Sequence, residues 1–252
     1  MHILAFDTCL GGVSVAVLRL DPAGACVLWE SQERQRAGHA ERLLPMIIAA
    51  LAGAKLDFGN IGRIGVTCGP GSFTGVRTGI AAARALALAI GCPAVGVGCL
   101  AAIARGAGAE LGPAEAARPL AVALDARLGL VYFQVFHASA EARGAPQLLA
   151  PQACAELLGD APAIVVGSAA AAVVQAGGAA GVEARLPEVE PRASVVGLLA
   201  ADSALGQSLG QSLGQSQGQS QGQSLSQSLK PLYLRAPDAK PQGERVLPWA
   251  RS

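Results

Sequence analysis

Apolar residues recur along this chain with two different periods. Ile3 to Phe6 and Val13 to Leu20 are apolar runs of strand length, separated by the turn-forming Asp7-Thr8-Cys9-Leu10-Gly11-Gly12. They predict a hairpin with a polar tip, and Val27 to Gln32 predicts a third strand of an antiparallel meander. From His39 the period lengthens: Leu43, Leu44, Ile47, Ile48 and Leu51 make one apolar stripe on a helix, with Pro45 as a kink or first-turn residue. Ile61 to Cys68 then reads as a buried strand and Val76 to Ile90 as a second helix. Ala94 to Val97 reads as a short strand, and Cys99 to Arg105 opens a connecting helix.

The second half repeats this logic. Leu120 to Leu124 and Val131 to Phe136 are strands around the turn Asp125-Ala126-Arg127-Leu128-Gly129, so a second hairpin carries an Asp at its tip, as the first does at Asp7. A duplicated lobe is expected from that repetition. Ala163 to Val166 is a further strand, Gly167-Ser168 opens an alanine helix, and Ser194 to Ala204 is a short helix. Leu205 to Leu229 is a near-perfect tetrapeptide repeat of Gly, Gln, Ser and Leu, which lacks the apolar surface to order itself and is expected to be a flexible insertion. The resulting division is an N-terminal lobe at 1–104, a C-terminal lobe at 105–204, the insertion at 205–229, and a segment at 230–252 returning to the N-terminal lobe.

Composition narrows the class without naming a chemistry. With 252 residues, 52% hydrophobic and 15% charged, the chain can bury one large core or two small ones. A net charge of +1 gives no global reason to expect a nucleic-acid binder. The six cysteines form no CxxC pair and read as reduced, mostly buried thiols of a cytoplasmic protein. Met1-His2-Ile3 meets Asp7 without a basic segment, so no signal peptide is expected. The uncharged runs Ala85 to Ala104 and Pro162 to Val182 approach the length of a membrane span. Gly91-Cys92-Pro93, Gly167 and Gly177-Gly178 punctuate them, so helix-turn-strand segments are expected instead.

The densest stretch is Gly69-Pro70-Gly71-Ser72-Phe73-Thr74-Gly75-Val76-Arg77-Thr78-Gly79, between a strand and a helix. That placement can aim backbone N–H groups at a phosphate, which makes Gly69, Gly71, Ser72 and Thr74 candidates for anion contact. The spacing matches neither the dinucleotide fingerprint nor a P-loop, and no Lys follows Gly75; a tight structural turn is the plainer reading. Gly75, Gly79 and Ala83 lie at i, i+4 and i+8, leaving one helix face nearly bare beside Val76 and Ile80, with Arg77 and Arg84 on a second edge. A partner helix or the chain's own core fits such a face. Asp7, Thr8 and Asp125 are placed where two lobes clamp a nucleotide, although Asp also favours turns for local reasons. The three histidines suggest neither a metal site nor a triad.

These residues together resemble the bacterial TsaB (YeaZ) family. The resemblance rests on Ile3-Leu4-Ala5-Phe6-Asp7-Thr8, His39-Ala40-Glu41-Arg42-Leu43-Leu44-Pro45, Gly69 to Gly79 with Ile80-Ala81-Ala82-Ala83-Arg84, Asp125-Ala126-Arg127, and Pro231-Leu232-Tyr233-Leu234-Arg235. It implies an α/β, two-lobed actin/Hsp70-like (ASKHA) fold of two ribonuclease-H-like domains with mixed sheets. It also implies a non-catalytic role in making N6-threonylcarbamoyladenosine at position 37 of tRNAs reading codons that begin with A. The implied partners are a catalytic TsaD-like subunit and a TsaE-like ATPase, with homodimerisation when alone, indirect contact with tRNA and no membrane. The implied interface is a helical bundle using His39, Leu43, Leu44, Ile47, Gly75, Val76, Gly79, Ile80, Ala83 and Arg84. No metal is implied, and the one ligand left open is ATP or ADP at the boundary with the partners, so Asp7, Thr8, Gly69, Gly71, Ser72, Thr74 and Asp125 are read as a vestigial nucleotide site. Where TsaD carries two histidines four apart, this chain has Cys99 and Ile103. The competing reading is an enzyme acting alone, either an ATP-dependent transferase or an M22-type metalloprotease.

Overall fold

The computed structural model describes residues 1–34, 38–177, 181–202 and 229–235. Strands β1 (His2–Asp7), β2 (Gly12–Asp21) and β3 (Gly24–Arg34) form the expected meander, followed by α1 (His39–Gly53), β4 (Ile61–Thr67), α2 (Phe73–Ile90), β5 (Ala94–Val97) and α3 (Cys99–Glu110). After the short α4 (Pro113–Ala116), the second lobe runs β6 (Leu120–Asp125), β7 (Val131–Phe136), β8 (Gln147–Leu149), α5 (Pro151–Leu158), β9 (Ala163–Val166), α6 (Ala170–Gly177) and β10 (Val182–Arg185). Helix α7 (Ala193–Ala201) follows.

The two sheets have one topology. The first is ordered β3-β2-β1-β4-β5 and the second β8-β7-β6-β9-β10, each with an antiparallel meander joined to a parallel pair. The duplication read from the two Asp-tipped hairpins is therefore real, and the two-lobed α/β architecture is the one the chain adopts. Sequence reading missed β8, β10, α4 and α5; the first three are too short, at 3, 4 and 4 residues, to show a period, and α5 spans only 8 residues.

Alternation along β1 and β2 shows why both strands look apolar throughout. Leu4, Phe6, Val13, Val15 and Val17 enter the main core with α1, α2 and α3, whereas Ile3, Ala5, Ala16 and Leu18 face the opposite side and pack on Ala193, Val196 and Ala200 of α7. A strand covered on both faces has no solvent side to mark with polar residues. Small residues let α7 settle closely: a Cβ on Gly197 would lie 2.3 Å from Leu18, and one on Gly65 would lie 2.9 Å from Ala200.

Two assignments change as a result. The sequence places Ser194 to Ala204 in the C-terminal lobe, but α7 lies on the first sheet, where Ala193, Val196 and Ala200 join Ala102 of α3 on that apolar face; residues 203–204 lie outside the described residues. The boundary after residue 104 cuts α3, whose Cys99, Leu100, Ile103 and Ala107 share one core with Leu120, Val122 and Ile164 of the second lobe. The run 85–104 divides among α2, β5 and α3. Helix α2 is, among the described residues, the one helix long and apolar enough to cross a membrane, and its apolar side rests on its own sheet. The repeat at 205–228 lies outside the described residues, and Leu229, counted with it, is fully buried in the first lobe.

Candidate functional site

Because β1 and β4 are parallel neighbours, their C-terminal residues Asp7 and Thr67 emerge side by side, where ligands of open α/β sheets are commonly held. In this chain the position is closed by its own groups. Thr67 Oγ1 donates a short hydrogen bond to Asp7 Oδ1, the Cys9 N–H donates to the same oxygen at 3.1 Å, and the Cys9 thiol donates to Thr67 Oγ1 at 3.1 Å. Asp7 is 3% exposed. Burial pushes its carboxyl up to about 6, against the opposing pull of the bonds from Thr67 and Cys9, while the Glu190 charge raises it further.

The glycines of the 69–79 stretch make room for this turn. A Cβ on Gly75 would sit 2.0 Å from the Thr8 carbonyl oxygen, one on Gly71 2.4 Å from that of Cys9, and one on Gly79 2.7 Å from Thr8 Oγ1. The Thr8 hydroxyl in turn donates to the Gly75 carbonyl at 2.7 Å. The nearly bare helix face therefore meets the first hairpin, not a partner. Helix α2 also begins earlier than its apolar periodicity suggests, at Phe73, with Ser72 Oγ accepting from the Gly75 N–H at 3.4 Å.

The anion cradle is likewise filled from within. The Ser72 N–H donates to the Cys9 carbonyl at 2.7 Å, and the Gly69 carbonyl accepts from the Cys99 N–H at 2.8 Å. A Cβ on Gly69, whose φ is 99°, would meet the Leu232 carbonyl at 2.9 Å, and the Leu232 N–H donates to the Cys68 carbonyl at 2.7 Å. Thr74 is exposed at the first turn of α2. Asp125 is exposed, with its N–H donating to Ser168 Oγ at 2.9 Å and its carboxylate accepting from the Arg127 N–H at 2.8 Å. Asp7 is sealed and Asp125 caps its own turn, so the clamp envisaged for Asp7, Thr8 and Asp125 is replaced by two local turn structures.

The described residues also do not fit a catalytic metal. Cys99 and Ile103 are fully buried, and no group of three His, Cys, Asp or Glu side chains converges among the described residues. An open cavity of about 610 Å³ lies among Gln32, Arg34, Glu110 and the 186–192 segment. Four of its polar groups pair with one another, Arg34 with Glu188 at 2.9 Å and Gln32 with Glu190 at 2.8 Å, and Arg192 turns to Glu30 at 3.0 Å.

Among the described residues, exposed apolar side chains line the outer side of α1 and α2, and others stand elsewhere at Val27, Leu128 and Leu157. Of the interface residues named from sequence, Leu43, Ile47, Gly75, Val76, Gly79, Ile80 and Ala83 are buried in the chain's own core, and Arg84 donates to the Leu229 carbonyl at 2.6 Å. The stripe at 43, 44, 47, 48 and 51 is two stripes: Leu43, Ile47 and Leu51 point inward, and Leu44 and Ile48 point outward at 51% and 54% exposure. On α2 the outward row ends in Leu88, 85% exposed. His39 opens α1 half-buried, with its Nε2 lacking a hydrogen-bond partner among the described residues. Sequence reasoning missed Ile48 and Leu88 as outward residues, and it missed the exposed cluster in which the Arg77 guanidinium lies 3.7 Å from the Phe73 ring centroid and Arg77 Nε donates to the Tyr233 hydroxyl at 2.8 Å. The spacing of Leu44 with Ile48, one turn apart, was the available signal.

Comparison with known proteins agrees with this architecture. The family profile described as TsaD, tRNA N6-adenosine threonylcarbamoyltransferase, matches residues 31–212. An uncharacterized protein of Mycobacterium tuberculosis (strain ATCC 25618 / H37Rv) is 34% identical over 240 residues, covering 95% of this chain and 94% of the relative. The tRNA threonylcarbamoyladenosine biosynthesis protein TsaB of Escherichia coli (strain K12) is 40% identical over 133 residues, 53% of this chain and 54% of that protein. Among solved structures, YeaZ from Pseudomonas aeruginosa superposes with a TM-score of 0.72 at 28% identity, over 92% of this chain and 99% of that one. The match across residues 31–212, together with the TsaB and YeaZ likenesses, makes the chain a member of the TsaD-type family, of its TsaB/YeaZ kind.

Proposed function

We propose that this chain is a non-catalytic subunit in N6-threonylcarbamoyladenosine formation at position 37 of tRNAs reading codons that begin with A, and that it acts by docking a TsaD-type catalytic subunit. The observation that carries this reading is the pairing of a spent interior with a free outer face. The turn, the glycines and the buried Asp7 are consumed by internal contacts, while Leu44, Ile48 and Leu88 stand exposed on two adjacent helices. An exposed apolar surface of this kind seeks a complementary face. The same face serves a homodimer when the catalytic subunit is absent. A TsaE-like ATPase joins the assembled pair, any ATP or ADP sits at the subunit boundary, and tRNA is held by the partners.

The test is reconstitution of tRNA modification with and without this chain, using its TsaD-type partner, paired with co-elution on a sizing column. Leu44→Asp and Ile48→Asp are expected to keep the fold, abolish co-elution and lose the modification. Co-elution with unchanged affinity would place the interface elsewhere. ATP turnover by the isolated chain would favour the enzyme reading instead.

A further inference from the structure

Four residues of the segment Leu229 to Arg235, namely Leu229, Leu232, Tyr233 and Arg235, are tied to the body of the protein, and those ties reach two lobes. The Leu229 side chain is fully buried, close enough to Gly96 that a Cβ there would lie 3.4 Å away, and its carbonyl accepts from Arg84 Nη2 at 2.6 Å. The Leu232 N–H pairs with Cys68 at the end of β4, and the Tyr233 ring stands 5.3 Å from that of Phe73 while its hydroxyl accepts from Arg77. All of these are first-lobe partners. Arg235 then crosses to the second lobe, its Nη1 donating to the Ala126 carbonyl at 2.8 Å. That carbonyl belongs to the tight turn after β6, where Arg127, Leu128 and Gly129 all have positive φ, at 63°, 52° and 73°.

The ends of this segment mark equivalent places in the duplicated lobes. Cys68 and Gly69 follow β4, and Ala126 follows β6, so the segment spans the C-terminal edges of the two sheets. Among the described residues the lobes are also joined through α3 and through the passage from β10 to α7. We propose that residues 229–235 are a latch across the mouth between the lobes, anchored on the first lobe by Leu229, Leu232 and Tyr233 and closed on the second by Arg235. With Arg235 seated, the angle between the sheets is held; with it withdrawn, the lobes turn about the core they share at α3 while each keeps its own fold. This device shares helix α2 with the partner surface, through Arg77 and Arg84, but its test does not depend on the reading of that surface.

The experiment uses the full chain with one spin label on the exposed native Cys26 and a second on Leu157→Cys, positions in opposite lobes that are both open to solvent. Arg235→Ala is expected to broaden the interlobe distance distribution and to raise amide exchange across residues 125–130 roughly tenfold, the factor that one hydrogen bond from a charged donor supplies. Exchange in the β1 and β6 cores should stay as in the parent, and Arg235→Lys should restore much of the narrow distribution. An unchanged distribution with unchanged exchange would overturn the latch. So would a uniform rise in exchange over both cores, or an Arg235→Ala chain that fails to fold, since a latch requires lobes that fold without it.

Discussion

Asp7 is held where a charged carboxylate is disfavoured, and its pH behaviour follows from that. Its ordinary value near 3.8 rises to about 6 in the folded chain, a difference worth about 3 kcal/mol between pH 4 and pH 8. Since the folded value lies above the unfolded one, the favourable contribution is fully present below pH 4 and is lost as pH rises through 6. Asp7→Asn should flatten this part of the profile, so the gap between parent and variant in urea midpoint should shift toward the variant from pH 4.5 to pH 8. A parallel offset at both values would show that the carboxyl does not titrate in this window. Gly75 offers a second test at the same scale. Gly75→Ala sets a methyl against the Thr8 carbonyl, a backbone atom that cannot turn aside, and should destabilise by roughly 3 kcal/mol, the upper end for overpacking. Gly108→Ala, in an exposed turn of α3 with open space around it, should stabilise by up to about 1 kcal/mol in the same thermal melt.

Helices α1 and α2 show how far periodicity carries a reading and where it stops. The spacing of Leu43, Ile47 and Leu51 located the helix, but a stripe holding both adjacent leucines, Leu43 and Leu44, is wider than one buried face. Which edge of such a stripe turns outward depends on the sheet beneath it, and that is a tertiary fact. The glycines of α2 misled for a related reason. A bare face announces close approach without naming the neighbour, and here the neighbour is the chain's own Thr8. The consequence for mutagenesis is a reversal: Ile80→Asp, an apparent interface test from sequence, charges a residue that is 4% exposed and should unfold the first lobe. Ile48→Asp should change the melting free energy by less than about 0.5 kcal/mol, as surface substitutions usually do, yet weaken partner binding at least tenfold by calorimetry. Equal behaviour of the two variants would erase the distinction between the inner and outer rows.

For the whole molecule, the order of elements was legible because each lobe repeats one plan, so Asp7 and Asp125 could be matched before any strand was placed in space. The short β8 and β10 were missed by composition, although duplication itself demands counterparts of β3 and β5. The destination of α7 was illegible, since a helix apolar on all sides fits any uncovered sheet. That destination sets the folding unit. Residues 1–110 alone should bind a hydrophobic dye and lack a cooperative melt, because Ile3, Ala5, Ala16 and Leu18 would face water. Residues 1–202 should melt cooperatively. A cooperative transition in the shorter fragment would mean that the first sheet stands without its cover.

The position of α7 also gives synthesis a fixed sequence of events. At roughly 5–20 residues per second, a ribosome needs about 10–40 seconds to pass from the first strand to the helix that covers it. Throughout that interval β1 and β2 are made but carry an uncovered apolar face, while the entire second lobe emerges behind them. The nascent first lobe is therefore the part of this chain with the greatest need of a chaperone, and release from it is timed by the arrival of Val196 and Ala200.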